Sequence, residues 1–523
     1  MAEKRKRISV IIPAKNESST LPNVLDSCKR IQPYEIVTIV NGSTDATAEI
    51  AKQFGCRVIV SKESLGNDVG RAIGARNSSG EILLFLDADF HISPNELDQF
   101  LKPIMMDQAD VVLNDMDFLF HRKNRPHSTT VWRQIFNHFL NRADLKIDSI
   151  LSVPHAMTRK AVQKIGYESL SNPILAHAKI IQHQLRIHHQ YGIDVIKRNR
   201  YRPALHSSTE NDLSPSEKRI IADHLFAFST VLKEPRGGIT DGGRRRDLVH
   251  KIHRGQLGLN ILQPGWGITN SSLYKGKKLS VIIPVQNEER TIGDVILQTR
   301  KIEPIEIIVI VNGSTDSTAK LAAKLGAKTI VFDQPLGNDV GRAIGAGIAK
   351  GDILLFLDGD FTIEAKDLFP FAHAVTNGVD IALNDLNHYL HLRFPLNIVT
   401  AYKYAVNLAL NRKDLGVSSL IAVPHAISRN ALDHIQWSTL LSPVVTQVKG
   451  VLSGLKTASV HRVDVDKMNR IRPDQHFAVK GIPPATERII GDHVEAIHAL
   501  FTWKGPRGIF PHDGRKINLI NKL

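Results

Sequence analysis

Cysteine is nearly missing from this chain: its 523 residues include two, Cys28 and Cys56, too few for a disulfide framework or a cysteine zinc site. Both fall in the first half and have no counterparts in the second. Long apolar runs are missing as well. Nothing approaches the roughly 20 residues that cross a bilayer, and the amino-terminal MAEKRKR leads into a strand of only about six residues instead of a secretion-signal core. A cytoplasmic protein is expected. Aromatic residues make up 6% of the chain, and RNA-type aromatic motifs are absent. Acidic residues are in deficit, with 52 Asp and Glu against 67 Lys and Arg and a formal charge of +15. That balance suits an anionic partner: nucleic acid, a membrane surface or a phosphorylated substrate. The basic residues are scattered, with clusters at KRKR (4–7) and RRR (244–246), so nucleic acid is not the expected partner. A solvated basic face is the commoner origin of such charge.

What is present is present twice. LGNDVGRAIGA occupies residues 65–75 and again 336–346, a displacement of 336 − 65 = 271. ISVIIPAKNE (8–17) returns as LSVIIPVQNE (279–288), IVNGSTDAT (39–47) as IVNGSTDST (310–318), and ILLFLDADF (82–90) as ILLFLDGDF (353–361). Later islands hold nearly the same offset: VPHAMTR (153–159) with VPHAISR (423–429), NRYRPALH (199–206) with NRIRPDQH (469–476), and RIIADH (219–224) with RIIGDH (488–493). A period this long is a duplicated domain. The expected domains are 1–255 and 277–523, with a Gly-, Asn- and Ser-rich linker at 256–276. PRGG (235–238) and PRG (506–508) end the two copies. Each copy, of roughly 250 residues, is long enough to bury a substantial core.

Within each copy strand and helix patterns alternate. In the first, SVII (9–12) is a continuous apolar run suited to a buried parallel strand, and Thr20 opens a helix with Pro22 in its first turn and Leu21, Val24, Leu25 and Cys28 on one face. EIVTIV (35–40) reads as the next strand, and the STD at 43–45 supplies cap chemistry for a helix to about Phe54. CRVIV (56–60), a helix through 66–79 and EILLFL (81–86) complete the series. The alternation predicts an α/β architecture: two tandem Rossmann-like domains, each a mostly parallel sheet flanked by helices. Ligands of such sheets bind beyond the carboxyl ends of the strands. The retained polar islands sit there: Asn16 and Glu17 after the first strand, Asn41 to Asp45 after the second, Asp87 and Asp89 after the fourth.

Two carboxylates one residue apart at the end of a buried strand, with a small residue between them, offer hard oxygen ligands to Mg²⁺ or Mn²⁺. Asp87-Ala88-Asp89 and Asp358-Gly359-Asp360 are such pairs, and a cation held there would neutralise the charge developing on a departing diphosphate. Acidic pairs also cap helices and occupy solvated turns, but these follow ILLFL in both copies. In GNDVGRAIGA the glycines either let backbone approach a ligand or let the helix pack on the sheet through Gly74 and Gly345. Arg71 and Arg342 suit bidentate phosphate contact.

At these motifs each copy resembles glycosyltransferase family 2, whose nucleotide-sugar-binding fold is called GT-A. VIIPAKNE and VIIPVQNE, the NGSTD loop, the G-x-x-x-GR-x-x-GA segment and FLDAD or FLDGD carry the likeness, over about the first hundred residues of each copy. The resemblance implies a metal-dependent transferase using a nucleotide-diphospho-sugar donor, with Asp87, Asp89, Asp358 and Asp360 at the metal and diphosphate. It further implies Glu17 and Glu288 near the nucleoside and Arg71 and Arg342 near the donor phosphates or sugar. Asn41, Asp45, Asn312 and Asp316 of the NGSTD loops join them as donor-site candidates. By type and order, His206 and His476 resemble the histidine that completes the metal sphere in GT-A enzymes, a role imidazole suits; a hydrogen-bonded structural histidine is the alternative.

The chain departs from that pattern in two places. Where many relatives place acidic residues before the GST of the second loop, this chain has Val40-Asn41 and Val311-Asn312; an asparagine amide still hydrogen-bonds a base edge, but the nucleotide is left open. The stretches where inverting members present a general base, 169–179 and 440–449, contain no carboxylate. Asp115 and Asp385 are the nearest substitutes, and transfer with retention, which needs no enzyme base, is the favoured alternative. Arg200 and Arg470, in the NR-x-RP islands, are expected on a loop that closes over the donor diphosphate or grips an anionic acceptor. His224 and His493 read as helix-face or acceptor-site residues; His183, His188 and His189 read as exposed helix. The acceptor is expected to be a sugar, a phosphorylated compound or a glycerate-like acid, and the basic surface also suits peripheral contact with anionic membrane. Two other readings compete with a tandem transferase. A sugar nucleotidyltransferase would need a glycine-rich, lysine-bearing signature after its first strand, which is absent. A scaffold that binds nucleotide-sugars without catalysis, in one copy or both, is disfavoured by two intact aspartate pairs.

Overall fold

The computed structural model describes the chain apart from residues 1–4, 122–126, 210, 266–270, 393–394, 469–471, 479–480 and 513. The chain forms two compact units, one of residues 1–231 and 504–523 and the other of residues 232–503. These boundaries depart from the duplication: the segment after the first copy belongs to the second unit, and the segment after the second copy belongs to the first.

The first unit runs β1 (Ile8–Ala14), α1 (Leu21–Arg30), β2 (Glu35–Asn41), α2 (Thr47–Gln53), β3 (Arg57–Ser61), α3 (Val69–Arg76), β4 (Ile82–Phe85), α4 (Pro94–Met105), β5 (Val111–Val112), α5 (Ser128–Phe139), β6 (His155–Thr158), α6 (Arg159–Ile165), α7 (Pro173–Gln182), β7 (Ile187–His188), α8 (Pro203–His206) and α9 (Pro215–Val231). Its sheet has the order β3-β2-β1-β4-β6-β5-β7. The first four strands are parallel, and β6 enters antiparallel between β4 and β5. The strand edges therefore agree with the apolar runs. Helix α3 is shorter than the predicted 66–79 because Gly66 and Asp68 take left-handed φ values of 84° and 65°, which hold residues 66–68 in a turn. The histidines at 183–189 are not an exposed helix: His188 lies in β7 and His189 pairs at 3.0 Å with the buried Asp148.

The second unit opens with α10 (Arg246–His253) and has strands β8 (Ile261–Gln263), β9 (Leu279–Val285), β10 (Glu306–Asn312), β11 (Lys328–Phe332), β12 (Ile353–Phe356), β13 (Ile381–Asn384), β14 (His425–Ser428) and β15 (Thr457–His461). Their order is β15-β13-β14-β12-β9-β10-β11-β8, the first sheet's plan with β8 added antiparallel on β11. Part of the expected linker is thus an edge strand.

Each sheet is buried on both faces, as parallel strands require. Along β1, Val10, Ile12 and Ala14 enter the core on one face and Ile11 the core on the other; Val281 and Ile283 divide from Ile282 in the same way. The shared glycines serve this packing. A Cβ on Gly74 would lie 2.5 Å from Ile11 Cγ2 and 2.6 Å from Ile39 Cδ1, and one on Gly345 would strike Ile282. Glycine lets α3 close on the sheet, so the packing role prevails over ligand approach. Gly74→Ala should lower stability by about 1–3 kcal/mol through overpacking, measured by denaturant unfolding; an unchanged midpoint would contradict this.

Five histidines are buried and neutral: burial brings His155, His177 and His425 down to about 3, and His224 and His493 to about 4, from an ordinary 6.5. A depressed histidine contributes stability that is present above pH 6.5 and lost as pH falls towards its folded value, because the unfolded chain takes up protons first. At pH 5 this costs about 2 kcal/mol per histidine. The duplication supplies a test. His177 Nε2 meets Asn137 Oδ1 at 2.8 Å, and Gln447 Nε2 donates to Asn407 Oδ1 at 2.8 Å in the corresponding place. His177→Gln should match the parent near pH 8 and exceed it by about 2 kcal/mol at pH 5. Equal losses on acidification would rule out this origin of acid sensitivity.

Candidate functional site

The loops beyond β1, β2 and β4 are tied together by short side chains. Asn16, at φ 55°, accepts from Thr44 N at 2.8 Å, and Glu17 N donates to Thr47 Oγ1 at 2.9 Å. Asp45 accepts from Ser18 N at 3.0 Å, Thr47 N at 3.1 Å and Thr47 Oγ1 at 2.5 Å. Against the pull of burial, those hydrogen bonds bring its carboxyl down to about 2. Asp316 repeats the arrangement with Glu289 N and Thr318. Asn41 accepts from Leu65 N at 2.5 Å and donates to Gly66 O at 3.2 Å, and Asn312 accepts from Leu336 N. These four residues fix the loops that surround the site. Thr20 donates across to Ala88 O at 2.8 Å and Thr291 to Gly359 O at 2.6 Å, holding the aspartate turns against the helices after β1 and β9.

The aspartates meet arginines from two directions. Arg71, buried on α3, donates to Asp87 at 2.7 Å and also to Asp68; Arg342 binds Asp358 and Asp339 in the same way. From the opposite side Arg202 donates to Asp89 at 2.9 Å and Glu17 at 2.7 Å, and Arg472 bridges Asp360 at 3.1 Å and Glu288 at 2.6 Å. Burial raises Glu17 and Asp87 above the usual carboxylate range although Arg202 and Arg71 work against it; burial and Asp358 raise Asp360.

Asp89 Oδ1 and Asp360 Oδ1 are buried without a hydrogen-bond partner among the described residues. An uncompensated carboxylate oxygen is costly, and finding it at the same position in both copies fits a divalent cation taking hard oxygen donors there. His206 accepts from Arg202 N at 3.1 Å and His476 from Arg472 N at 2.9 Å, each through Nδ1. Nε2 remains for a ligand, and burial with Arg202 keeps His206 below its usual value, in the neutral form a metal needs. Among the described residues only Asp241, Asp492 and Glu495 bring three ligand-type atoms within 4.8 Å of one another, and Arg236, Arg244 and Arg246 bind them; the sets Asp87, Asp89, His206 and Asp358, Asp360, His476 do not close to that distance.

A cavity of about 810 Å³ opens on this site in the first unit. Glu17, Arg71, Asp87, Asp89, Arg202 and His206 line it, together with the basic Lys15, Arg133, Lys218 and Arg219. Asp115 and Asp385 take another position. Asp115 accepts from Asp117 N at 2.8 Å and Asp385 from Asn387 N at 3.0 Å, each capping a turn after its strand, and Asp115 is outside the cavity lining. Arg200 is exposed, with its charge acting on Glu17, while Arg470 lies outside the described residues. Their neighbours Arg202 and Arg472 make the contacts instead. The available signal was the following proline: it opens the short helix of residues 203–206, which turns the preceding arginine inward. His224 and His493 face the core, each donating from Nδ1 at 2.7 Å to a backbone carbonyl, Ile220 O and Ile489 O respectively.

The sequence profile described as Glycosyl transferase family 2 matches residues 9–166 and 280–434. Among curated relatives, glycosyltransferase AglE of Haloferax volcanii is 32% identical over 122 residues, 22% of this chain and 40% of that protein. Glucosyl-3-phosphoglycerate synthase of Mycolicibacterium paratuberculosis is 35% identical over 112 residues, 19% of this chain and 33% of that protein. The chain thus spans well under half the length of these relatives. Among solved structures, glucosyl-3-phosphoglycerate synthase from Mycobacterium tuberculosis in complex with Mn²⁺, uridine-diphosphate-glucose and phosphoglyceric acid is 21% identical, with 46% of this chain and 82% of that chain covered and a TM-score of 0.33. No described helix is long and apolar enough to cross a membrane. With both copies matched across more than half its length, the chain belongs to glycosyl transferase family 2.

Proposed function

We propose that each unit transfers a sugar from a nucleotide-diphospho-sugar donor, and that the chain carries two such sites. The observation that carries this reading is the partnerless carboxylate oxygen of the second aspartate in both pairs, at a strand end, with a histidine of the following NR-x-RP island anchored through Nδ1 to the backbone of the arginine that binds that aspartate. Asp87, Asp89 and His206 would hold Mg²⁺ or Mn²⁺ in the first unit, and Asp358, Asp360 and His476 in the second. When bound, the cation would supply charge neutralisation for the departing diphosphate. Arg71 and Arg342 keep the first aspartate of each pair oriented. Arg202 and Arg472 place a guanidinium over the second aspartate and the inner glutamate, where an incoming diphosphate finds a positive, bidentate partner. Glu17 and Glu288 would face the nucleoside in this reading.

The acceptor in this reading is a small anion, phosphorylated or glycerate-like, drawn to the Lys15, Arg133, Lys218 and Arg219 wall of the cavity. Transfer proceeds with retention. Glu17, Asp68, Asp87 and Asp89, the carboxylates lining that cavity, are each bound by an arginine, which leaves none poised to take the acceptor proton. The test is to incubate the chain with Mn²⁺, a panel of nucleotide-sugars and a panel of phosphorylated and unphosphorylated hydroxy acids, and to read the anomeric configuration of any product by NMR. A product with the donor's configuration supports the reading. An inverted product would require a base elsewhere, and donor binding without transfer or hydrolysis would favour the scaffold.

A further inference from the structure

The segments that follow the two copies carry their own repeat at the 271-residue offset: Arg236 with Arg507 and Arg244 with Arg515 (507 − 236; 515 − 244). Each docks within a compact unit built around the opposite copy. In the first unit, residues 504–523 bury Ile520 in the core beneath α3, with Leu519 packed against it. Lys516 N donates to Leu65 O at 2.9 Å. In the second, Val249 of α10 enters the core with Leu248 and Ile252 beside it, and Arg245 N donates to Leu336 O at 2.8 Å. The glycine of LGND is shaped for this contact. A Cβ on Gly66, at φ 84°, would lie 2.9 Å from Arg515 Cα, and one on Gly337, at φ 80°, would lie 2.7 Å from Arg244 Cα.

The docked arginine uses its whole fork. Arg515 donates to Asn67 O at 3.0 Å, to Asp68 at 3.0 Å, and to both oxygens of Asp223 at 2.7 and 2.8 Å. Arg244 repeats this on Asn338 O at 3.1 Å, Asp339 at 2.7 Å and Asp492 at 2.6 and 2.8 Å. Asp68 and Asp339 are the left-handed residues just before their helices, and each passes the contact on to Arg71 or Arg342 and so to Asp87 or Asp358. Two relays result, buried as far as their last aspartate: Arg515–Asp68–Arg71–Asp87 and Arg244–Asp339–Arg342–Asp358. The same docking accounts for the RIIxDH islands and for the RRR cluster, whose charge is spent on internal pairs.

We propose that Arg515 and Arg244 are positioning residues for the aspartate pairs, and that the arms are exchanged: each site is completed by the segment that follows the other copy. The proposal rests on the metal-dependent reading of these pairs. Its test uses the full chain. Asp358→Asn/Asp360→Asn leaves the first pair to report alone; Mn²⁺ is then titrated by electron paramagnetic resonance in the presence of UDP, GDP or ADP, with and without Arg515→Gln or Arg515→Lys. Hydrogen exchange is followed over residues 63–72 and 334–343. The expected result is that Arg515→Gln weakens Mn²⁺ at the first pair at least about 5-fold and speeds exchange over 63–72 alone. Lysine, which lacks the fork, should restore little of either. Arg244→Gln should do neither at the first pair, but should have the mirror effect in a chain carrying Asp87→Asn/Asp89→Asn. Faster exchange over 63–72 with unchanged Mn²⁺ affinity and spectrum would reduce Arg515 to a brace and overturn the positioning role. Faster exchange over 334–343 on Arg515→Gln would overturn the exchange of arms. If the unsubstituted chain bound no Mn²⁺, the metal-dependent reading would fall and the positioning role with it, while exchange over the two loops would still decide which arm docks where.

Discussion

Replacing Asp87 and Asp89 together by asparagine should reduce sugar transfer by the first unit at least about 10³-fold, because the cation that the pair would hold in the proposed reading would be worth several kcal/mol to a developing diphosphate charge. Asparagine keeps the size of the side chain and can still accept from Arg71 and Arg202, so the sheet and its loops stay folded. The loss should be confined to one unit: a chain with Asp358→Asn/Asp360→Asn loses the other share, and all four substitutions together remove transfer altogether. Initial rates measured across the parent and the three variants, with melting curves as a control, check this. Parent-like rates in the fourfold variant would show that the pairs do not serve the chemistry.

Arg71→Ala should lower stability by about 1–3 kcal/mol, because it removes a buried guanidinium shared by the buried Asp68 and the half-buried Asp87, which opens on the cavity. Asp68 and Asp87 both bind Arg71, and burial acts against the charged form of each. Without the guanidinium, Asp87 is left with Asp68 and Asp89 as like-charged neighbours. Arg515 and Arg219 still hold Asp68, which limits the damage to the Asp87 end. Urea unfolding of Arg71→Ala beside Arg342→Ala measures the cost in each copy. A loss below about 1 kcal/mol would place these ion pairs in the class of exposed salt bridges.

The sheet was legible because its strands are unbroken apolar runs that end in polar loops, a pattern with little freedom in how it folds. The same runs pointed to the candidate site, since ILLFL and SVII both deliver their polar successors to one edge. Other features could not be read from pattern. Asp115 and Asp385 had the right residue type after a strand, but a backbone N–H two residues on claims each carboxylate, and spacing alone does not separate such a cap from a base. Arg200 and Arg202 are equally basic; only the turn imposed by Pro203 decides which enters the cleft. The exchanged arms were the least visible, because duplication marks where a copy ends and not which core its last segment joins. Even so, the identical LGND carried a trace of them in the glycine kept at 66 and 337, whose missing Cβ makes room for an arginine far away in sequence.

The most direct measurement is calorimetric titration of the full chain with a panel of nucleotide-sugars, with and without Mn²⁺. Two donor sites are expected, both dependent on Mn²⁺, falling to one in either paired-asparagine variant and to none in the variant carrying all four substitutions. Binding that is indifferent to Mn²⁺ and to the aspartates, or no binding of any donor, would contradict the assignment of Asp87, Asp89, Asp358 and Asp360 to two metal-dependent transfer sites.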